Sequence, residues 1–414
     1  MDDLFWPGDE RAGELMSEPA LLHAMVRVES AWLRALLSSG IAPHNAADDL
    51  TGLVTDEDVH DVAVGAEAGG NPVIPLLSLL RERLEKRSPE AAAWIHRGLT
   101  SQDVLDTALA LCLRDTADRI REELHAQIIA LAGLSDQHRQ TLMAGRTLTQ
   151  HAVPITFGLK AAVWLGGVLD AADDLIGSIE LPVQIGGAAG TLASPTELIA
   201  LSGSASSVRD LTSIVSEVLG LKPRWPWHTS RAPFTRFGDA LVRCTDAWGH
   251  IATDILTLSR PEIAEVAEPT AEGRGSSSAM PQKTNPVLST LIKRAALAVP
   301  MAGAQLHLAA AESVDERPDG AWHTEWSTLH TLSRRTVVAA SQTTELLSGL
   351  GVNADRMRAT AMEASAGLLA ERRSLSTLFG VAAADGDPSA YLGATGQIID
   401  AALERAATFL KEPR

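Results

Sequence analysis

The sequence predicts an all-α fold built mainly from long helices. Apolar residues recur at helical spacing along most of the chain, which is the pattern of amphipathic helices. One such stripe is formed by Leu21, Met25, Val28, Trp32 and Leu36. Alternation with a period of two is nearly absent, and residues 181–185 are the only short exception. Proline and glycine separate the periodic segments, at Pro182, Pro261 and residues 349–351.

The longest helix is predicted from Ser101 to about Met143, and others at roughly 155–179, 235–259, 287–311 and 325–348. The first begins at a capping box, residues 100–103, in which Thr100 is followed three residues later by Asp103. A second box at residues 194–197 predicts a helix start at Ser194, with proline at the first helical position. Helices of this length predict an elongated bundle, whose remaining apolar stripes often pack against other subunits.

Glycine-containing segments near Gly98 and Gly349 predict three domains in a chain of 414 residues. Residues 1–97 would form an N-terminal helical domain, and residues 349–414 a C-terminal helical domain. Between them, residues 98–348 would form a central bundle of long helices that carries the active-site segments.

Composition disfavours several classes of function. With 35 basic and 52 acidic residues the formal net charge is −17, which argues against nucleic acid and anionic membrane surfaces as partners. Residues 1–7 lack the basic start and apolar run of a signal peptide. No window approaches 18 uncharged apolar residues, so no membrane span and a cytoplasmic location are expected. Cys112 and Cys244 lie in apolar helical patterns and are expected to be buried thiols.

The most informative segment, residues 273–286, reads Gly-Arg-Gly-Ser-Ser-Ser-Ala-Met-Pro-Gln-Lys-Thr-Asn-Pro. Its glycines and serines predict a mobile loop that carries hydroxyl groups. Lys283 and Asn285 add a cation and an amide just before Pro286 begins a helix, whose N-terminal amides favour an anion. Such a site can remove a proton from a carbon beside a carboxylate and stabilise the charge that develops.

This segment resembles the signature loop of the fumarase/aspartase superfamily, Gly-Ser-Ser-x-Met-Pro-x-Lys-x-Asn-Pro. The resemblance implies that Ser277 is the catalytic base and that Ser278, Lys283 and Asn285 bind substrate. Ser276 replaces the superfamily's glycine, although Gly275 stands one residue earlier. The resemblance also implies a three-domain all-α fold, a small polycarboxylate substrate, and a homotetramer whose active sites each combine three subunits.

Residues 96–103 resemble the first conserved segment of the superfamily, His-x-Gly-x-Thr-Ser-x-Asp. By that match Thr100, Ser101 and Gln102 would bind substrate at the helix start, and His96 would line the site. The same residues, taken alone, are more typical of a helix N-cap beside a solvated histidine. No group of His, Cys, Asp and Glu has metal-ligand spacing, and no phosphate-binding glycine motif follows a strand, so neither metal nor nucleotide cofactor is expected.

Residues 145–154 resemble the second conserved segment, in which adenylosuccinate lyases have a histidine proposed as general acid. Leu148 takes that position here and cannot transfer a proton. His151 lies about one helical turn away if the segment is helical, so it is either a catalytic residue or a structural histidine. Gln150 matches the glutamine of the pattern and is predicted to bind substrate. Arg231, in a segment similar to cycloisomerases, is predicted to grip a carboxylate with its guanidinium.

Leu148 favours the branch of 3-carboxy-cis,cis-muconate cycloisomerases, because a carboxylate leaving group needs little protonation. That branch interconverts the open-chain tricarboxylate and a lactone in protocatechuate degradation. The alternative within the superfamily is a lyase that releases fumarate from nitrosuccinate or adenylosuccinate. The alternative of another class, a non-catalytic helical oligomer, is disfavoured by the intact Ser277, Lys283 and Asn285.

Overall fold

A computed structural model describes residues 3–280, 282–382 and 386–411 of the chain. Met1, Asp2 and Pro281, which belong to segments discussed above, lie outside these residues. The described residues form fifteen α-helices: α1 (Glu18–Ser38), α2 (Val59–Gly69), α3 (Val73–Glu85), α4 (Pro89–Trp94), α5 (Ser101–Gln137), α6 (Phe157–Ser178), α7 (Ala193–Ser202), α8 (Val208–Leu219), α9 (Ala232–Leu258), α10 (Val287–Ala311), α11 (Gly320–Ser348), α12 (Ala354–Glu363), α13 (Ser365–Leu368), α14 (Ala370–Leu378) and α15 (Thr395–Phe409). The all-α prediction is confirmed, and α6, α9, α10 and α11 match predicted long helices. The predicted end of the first helix at about Met143 is wrong, because α5 ends at Gln137 and Met143 belongs to the first strand, Leu142–Thr147.

Two short antiparallel strand pairs accompany the helices within these residues, and only the first pair is a hairpin. Strands β1 (Leu142–Thr147) and β2 (Gln150–Thr156) pair with Arg146 opposite His151. Strands β3 (Val266–Ala267) and β4 (Gly351–Val352) are two residues each. The alternating residues 181–185 form no strand, only a single bridge from Pro182 to Lys222.

The predicted N-cap at Ser194, with Pro195 as the first helical residue, is wrong. Helix α7 begins at Ala193, and its N-cap residue is Leu192 in the left-handed conformation, with no side-chain hydrogen bond to the helix. The hydroxyl of Thr196 donates instead to the Leu192 carbonyl, at 2.8 Å. A Ser-Pro-Thr-Glu sequence therefore does not guarantee a capping box, because the serine must lie outside the helix to accept its amide hydrogen bonds.

The contacts group the chain into two compact units. Unit 1 comprises Met1–Arg119, Leu175–Leu241 and Pro300–Val337, and unit 2 comprises Ile120–Asp174, Val242–Val299 and Val338–Arg414. The division into three domains at residues 98 and 349 stays a prediction.

Unit 1 is organised around large buried aromatic side chains. Trp227 and Phe234 meet edge to face, with ring centroids 5.1 Å apart. Trp32 on α1 is buried, and its indole nitrogen donates to the Arg97 carbonyl at 2.7 Å. This bond ties the segment before α5 to the core, because an indole N–H that is buried must find an acceptor.

Unit 2 has an aromatic core of the same kind. Phe157 and Trp164 on α6 meet edge to face at 5.7 Å. The buried Trp248 of α9 donates to the side chain of Gln127 at 2.7 Å. The β1–β2 hairpin packs against α12 and α13 through a small buried cluster, Leu142, Ala144, Ala361 and Leu368.

The prediction that both cysteines are buried thiols is confirmed. Cys112 and Cys244 are free and buried. Burial raises the pKa of each thiol to about 12, so neither is a reactive thiolate at neutral pH.

Helix α10 is an exception to the expectation that no segment approaches a membrane span. Among the described residues it alone is long and apolar enough by length and composition, with a mean hydropathy of 1.3 over its best window. That window is 39% buried in the protein. Core helices of soluble proteins meet the same criterion, so this is weak evidence for a membrane span.

Candidate active site

The start of α5 in unit 1 is organised by one buried carboxylate. Asp103 accepts hydrogen bonds from the backbone N–H groups of Thr100, Gly186 and Gly187, at 3.0, 2.8 and 2.9 Å. His228 Nε2 lies 3.0 Å from the same carboxylate. Asp103 thereby holds three segments together that are far apart in sequence: the start of α5, the loop that contains Gly186 and Gly187, and the segment before α9. Half of the predicted capping box, the Thr100 amide on Asp103, is present.

The other residues predicted near this helix start differ in what they offer a ligand. His96 is mostly buried, and its Nδ1 lies 2.7 Å from the fully buried carboxylate of Glu29. Gln102 is buried and donates to Asp106 and to the His228 carbonyl, at 3.1 and 2.9 Å. Ser101 is half-buried in the first turn of α5. Gln102 is thus buried within the protein, whereas Ser101 and the second ring nitrogen of His96 remain partly exposed beside Thr100.

Arg231 is enclosed by the protein's own acidic side chains. Its side chain is 0% exposed, and its guanidinium donates to Asp106 at 2.7 Å and to Glu325 at 2.5 Å. Burial alone would lower the pKa of Arg231, but the charges of Asp106 and Glu325 outweigh it and raise the pKa. Burial raises the pKa of Glu325, against the opposing effect of Arg231. A substrate carboxylate could reach this fork only by displacing Asp106 or Glu325.

A different arginine lies at the start of α5. Arg317 Nη1 donates to the hydroxyl of Thr100 at 3.0 Å, and its guanidinium lies over the Trp322 ring, 5.1 Å from the centroid. Arg317 is half-buried, and no carboxylate of the described chain pairs with it. An unpaired guanidinium beside a helix N-terminus and two hydroxyls is a suitable receptor for a carboxylate.

The segment that carries Leu148 in unit 2 is a β-hairpin, so the helical placement of His151 is wrong. Leu148 and Thr149 form its turn, with φ of 47° and 70°, and Leu148 is 96% exposed. His151 and Gln150 are exposed on β2, opposite Arg146 and Thr147. The sequence does not show the alternation of apolar and polar residues that marks a half-buried strand, because residues 142–145 are all buried.

The hairpin is anchored by a buried ion pair. Arg146 donates through both terminal nitrogens to Glu265, at 2.8 and 3.0 Å, and Glu265 is fully buried. Beside this pair, His151 and Arg356 line a cavity of about 490 Å³ in unit 2. His151 therefore has access to a cavity, although not by the helical geometry that the sequence suggested.

The signature loop is closed at its base by one residue. Both the backbone N–H and the side-chain amide of Asn285 donate to the Gly275 carbonyl, at 2.9 and 3.1 Å. Asn285 therefore holds the two ends of the loop together. Ser278 and Lys283 are exposed along it, and the Lys283 ammonium has no partner among the described residues.

Ser277 is half-buried within this loop, and its hydroxyl oxygen faces backbone donors. The N–H groups of Met280 and Ala279 lie 3.2 and 3.5 Å from its Oγ. Donors aimed at an oxygen favour its negatively charged form. Two backbone N–H groups of the loop are therefore the donors that face this hydroxyl oxygen.

Gly275, and not position 276, is where the loop requires glycine. Gly275 has a φ of +74°, and a Cβ there would lie 2.7 Å from the Asn285 carbonyl oxygen. Ser276 is outside the left-handed region and donates its hydroxyl to the Gly273 carbonyl at 3.1 Å. The serine in place of the superfamily's glycine is therefore accommodated without strain.

Replacing Gly275 by alanine is expected to lower kcat about tenfold or more, because the new methyl group pushes on the clamp at Asn285 and displaces the loop. Gly273→Ala is the matched control. Gly273 has nearly the same φ, +73°, but open space around its Cβ position. Both variants carry the left-handed penalty of about 1–2 kcal/mol. Equal kcat values for the two variants, measured together with their melting temperatures, would contradict the clamp.

The N-terminus of α10 already holds an anion, which corrects the prediction that its amides face the substrate. The N–H groups of Leu288 and Ser289 donate to the two carboxylate oxygens of Glu268, at 3.0 and 2.7 Å. A helix N-terminus attracts a carboxylate from any source. Here the carboxylate is supplied by the chain itself, twenty residues earlier.

The predicted site residues thus fall into two groups. His96, Thr100, Ser101, Gln102 and Arg231 belong to unit 1. Gln150, His151, Ser277, Ser278, Lys283 and Asn285 belong to unit 2. Arg317 and Glu268 were not identified from the sequence.

Comparison of the chain with known proteins identifies its family. Residues 45–300 match the family model described as Lyase. Nitrosuccinate lyase of Streptomyces davaonensis is 43% identical over 367 residues, which cover 88% of this chain and 77% of that protein. A 3-carboxy-cis,cis-muconate cycloisomerase of Bradyrhizobium diazoefficiens is 36% identical over 358 residues, 84% of this chain and 76% of that protein.

The chain belongs to this lyase family. It is therefore an enzyme of the fumarase/aspartase superfamily. The crystal structure of the 3-carboxy-cis,cis-muconate lactonizing enzyme from Pseudomonas putida superimposes on this lyase with a TM-score of 0.83 and 30% identity, covering 96% of both chains. The helical architecture of the lyase is thus that of its solved relatives.

Proposed function

We propose that this lyase interconverts 3-carboxy-cis,cis-muconate and its lactone by β-elimination and the reverse addition. The observation that carries the proposal is Leu148, which lies exposed in a hairpin turn and, by the resemblance, stands where adenylosuccinate lyases have the histidine proposed as general acid. A reaction run from this site needs a leaving group that departs without being protonated. The ring carboxylate of a lactone meets that requirement, because carboxylate is a stable anion at neutral pH.

In the elimination direction Ser277 Oγ takes the proton from the carbon next to a carboxylate. The electron pair of that C–H bond moves onto the carboxylate as an aci-carboxylate, and then expels the ring carboxylate to form the new double bond. The N–H groups of Met280 and Ala279 support the charged form of Ser277. Lys283, exposed on the same loop, offers the charge that stabilises the aci-carboxylate.

A carboxylate of the substrate binds at the start of α5 in this proposal. Thr100 and Ser101 supply hydroxyls there, and Arg317, in place of the predicted Arg231, supplies the positive charge. Gln150 and His151, both exposed on β2, stay predictions as substrate-binding and proton-transferring residues.

Replacing Arg317 by glutamine is expected to raise KM about tenfold or more, because a hydrogen bond to a charged group contributes about 1.5–3 kcal/mol. Arg97→Gln is the matched control, since Arg97 is exposed shortly before α5 and its side chain donates to the Ala93 carbonyl. Steady-state kinetics of both variants test the assignment. A KM for Arg317→Gln within twofold of the wild type would remove Arg317 from the substrate site.

Nitrosuccinate is the second candidate substrate, favoured by the 43% identity to a nitrosuccinate lyase. Nitrite, like carboxylate, leaves without protonation, so Leu148 is compatible with it. Adenylosuccinate is disfavoured by the same argument, because its amine leaving group needs a proton. The two remaining candidates share the proton abstraction and differ in the leaving group.

A pair of assays on the purified protein distinguishes the candidates. Loss of the diene absorbance of 3-carboxy-cis,cis-muconate supports the cycloisomerase, whereas nitrite release from nitrosuccinate, with no change in the diene, supports the lyase. Activity on neither substrate, with the protein folded, would overturn the proposal.

We also propose that the active sites form between subunits of a homotetramer. Support comes from α10, where Leu297, Met301 and Leu308 are exposed at helical spacing. Sedimentation of the purified protein tests this assembly. The cytoplasmic location stays a prediction.

A further inference from the structure

Glu268 makes a contact that the proposed chemistry does not use. It follows β3 directly, is half-buried, and binds the first turn of α10 through both carboxylate oxygens. Each oxygen accepts one backbone N–H, from Leu288 at 3.0 Å and from Ser289 at 2.7 Å. Two short, separate hydrogen bonds fix the carboxylate on the helix end, where the helix dipole also favours a negative charge.

The position of this contact links it to the catalytic loop. Pro286 and α10 follow Asn285 without an intervening residue, and Asn285 is the clamp that closes the loop on Gly275. The base of the loop is therefore held at two points, by Asn285 on Gly275 and by Glu268 on the first turn of α10. Ser277 and Lys283 lie between the two ends of this loop.

We propose that Glu268 is a positioning residue, which holds the start of α10 and so sets where the loop presents Ser277 and Lys283. This inference rests on the proposed role of the loop in catalysis. The carboxylate acts here as a resident anion. It occupies the amides that would otherwise compete for a carboxylate of the substrate, and so leaves that carboxylate to Lys283.

The first turn of α10 is built to hold a small anion if Glu268 is removed. Glu268→Ala would free the amides of Leu288 and Ser289. The hydroxyl of Ser289 is buried beside them and has no hydrogen-bond partner among the described residues. Formate, a carboxylate without the side chain, matches this set of donors, so chemical rescue by formate is the specific expectation for a resident anion.

The test compares wild type, Glu268→Ala and Asp210→Ala in sodium formate and in sodium chloride of the same ionic strength. For Glu268→Ala we expect a lower melting temperature and a kcat reduced about 10- to 100-fold at saturating substrate, since a displacement of about 1 Å can have that effect. Formate should raise both values for this variant and neither for the wild type. Asp210 also caps a helix, by accepting from Ser207 N–H, but lies in unit 1, so its variant should keep its kcat.

Glu268→Gln is the second variant, in case Glu268→Ala does not fold. Its side chain keeps the shape but offers an acceptor to only one of the two amides, so it should show an intermediate kcat. A wild-type kcat for Glu268→Ala, or a loss that formate leaves unchanged, would overturn the proposal. If the wild type is inactive on both candidate substrates, the proposed function fails, while the formate-dependent melting temperature still reports on the anchor.

Discussion

Ser277→Ala is expected to lower kcat by about 10²–10⁴-fold, which is the usual contribution of a positioned general base. The substitution removes the oxygen that takes the substrate proton and leaves the loop contacts of Gly275 and Asn285 in place. Because Ser277 is only half-buried, the free energy of unfolding of the variant should stay within about 0.5 kcal/mol of the wild-type value. Large catalytic loss with unchanged stability is what separates a base from a structural serine.

The neighbouring serine provides the control for this experiment. Ser276 is exposed, and its hydroxyl donates to the Gly273 carbonyl within the same loop. Ser276→Ala therefore alters the loop by one hydrogen bond without removing the proposed base. Single-turnover kinetics with substrate deuterated at the carbon that loses its proton add a second readout. If Ser277→Ala and Ser276→Ala lose activity equally, Ser277 is not the base.

The long helices were predictable because their apolar residues repeat with the helical period over five or more turns, as in α5 and α11. The β1–β2 hairpin was not. Its first four residues are buried on both faces, so no alternation appears, and its turn uses Leu148 and Thr149 at positive φ in place of glycine or asparagine. Tertiary packing against α12 and α13 thus selects a conformation that local sequence does not reveal.

The site shows the same division between local and long-range information. The loop sequence predicted Ser277, Lys283 and Asn285 together, because they lie within nine residues of one another. It did not predict that Glu268 would occupy the helix end of α10. Nor did it predict the partners of Arg231, which are 125 and 94 residues away. Such pairings depend on how the helices pack, and helix packing cannot be read from a single sequence.

Arg231→Leu is expected to have the largest effect on stability, about 3–5 kcal/mol, because it leaves two buried carboxylates without their cation. Asp106 is fully buried and the Glu325 side chain is 2% exposed, so water cannot replace the guanidinium. Arg405→Leu is the matched control. Arg405 also bridges two carboxylates, Asp170 and Asp173, both at 2.7 Å, but on the surface, where such pairs contribute about 0–1 kcal/mol. Chemical denaturation of both variants measures the difference.

The pH dependence of the Arg231→Leu variant tests the cause of its instability. The pKa of Glu325 stands above its usual value in the folded protein because of burial, with Arg231 opposing that shift. A raised folded-state pKa gives stability that is present below the unfolded pKa and lost as pH rises through the folded one. Without Arg231 the pKa of Glu325 rises further, so the stability deficit of the variant should be larger at about pH 8 than at about pH 5. Arg231 also lies over the rings of Trp227 and Phe234. If the stability deficit is the same at both pH values, its main cause is the lost packing against these rings and not the unpaired charge.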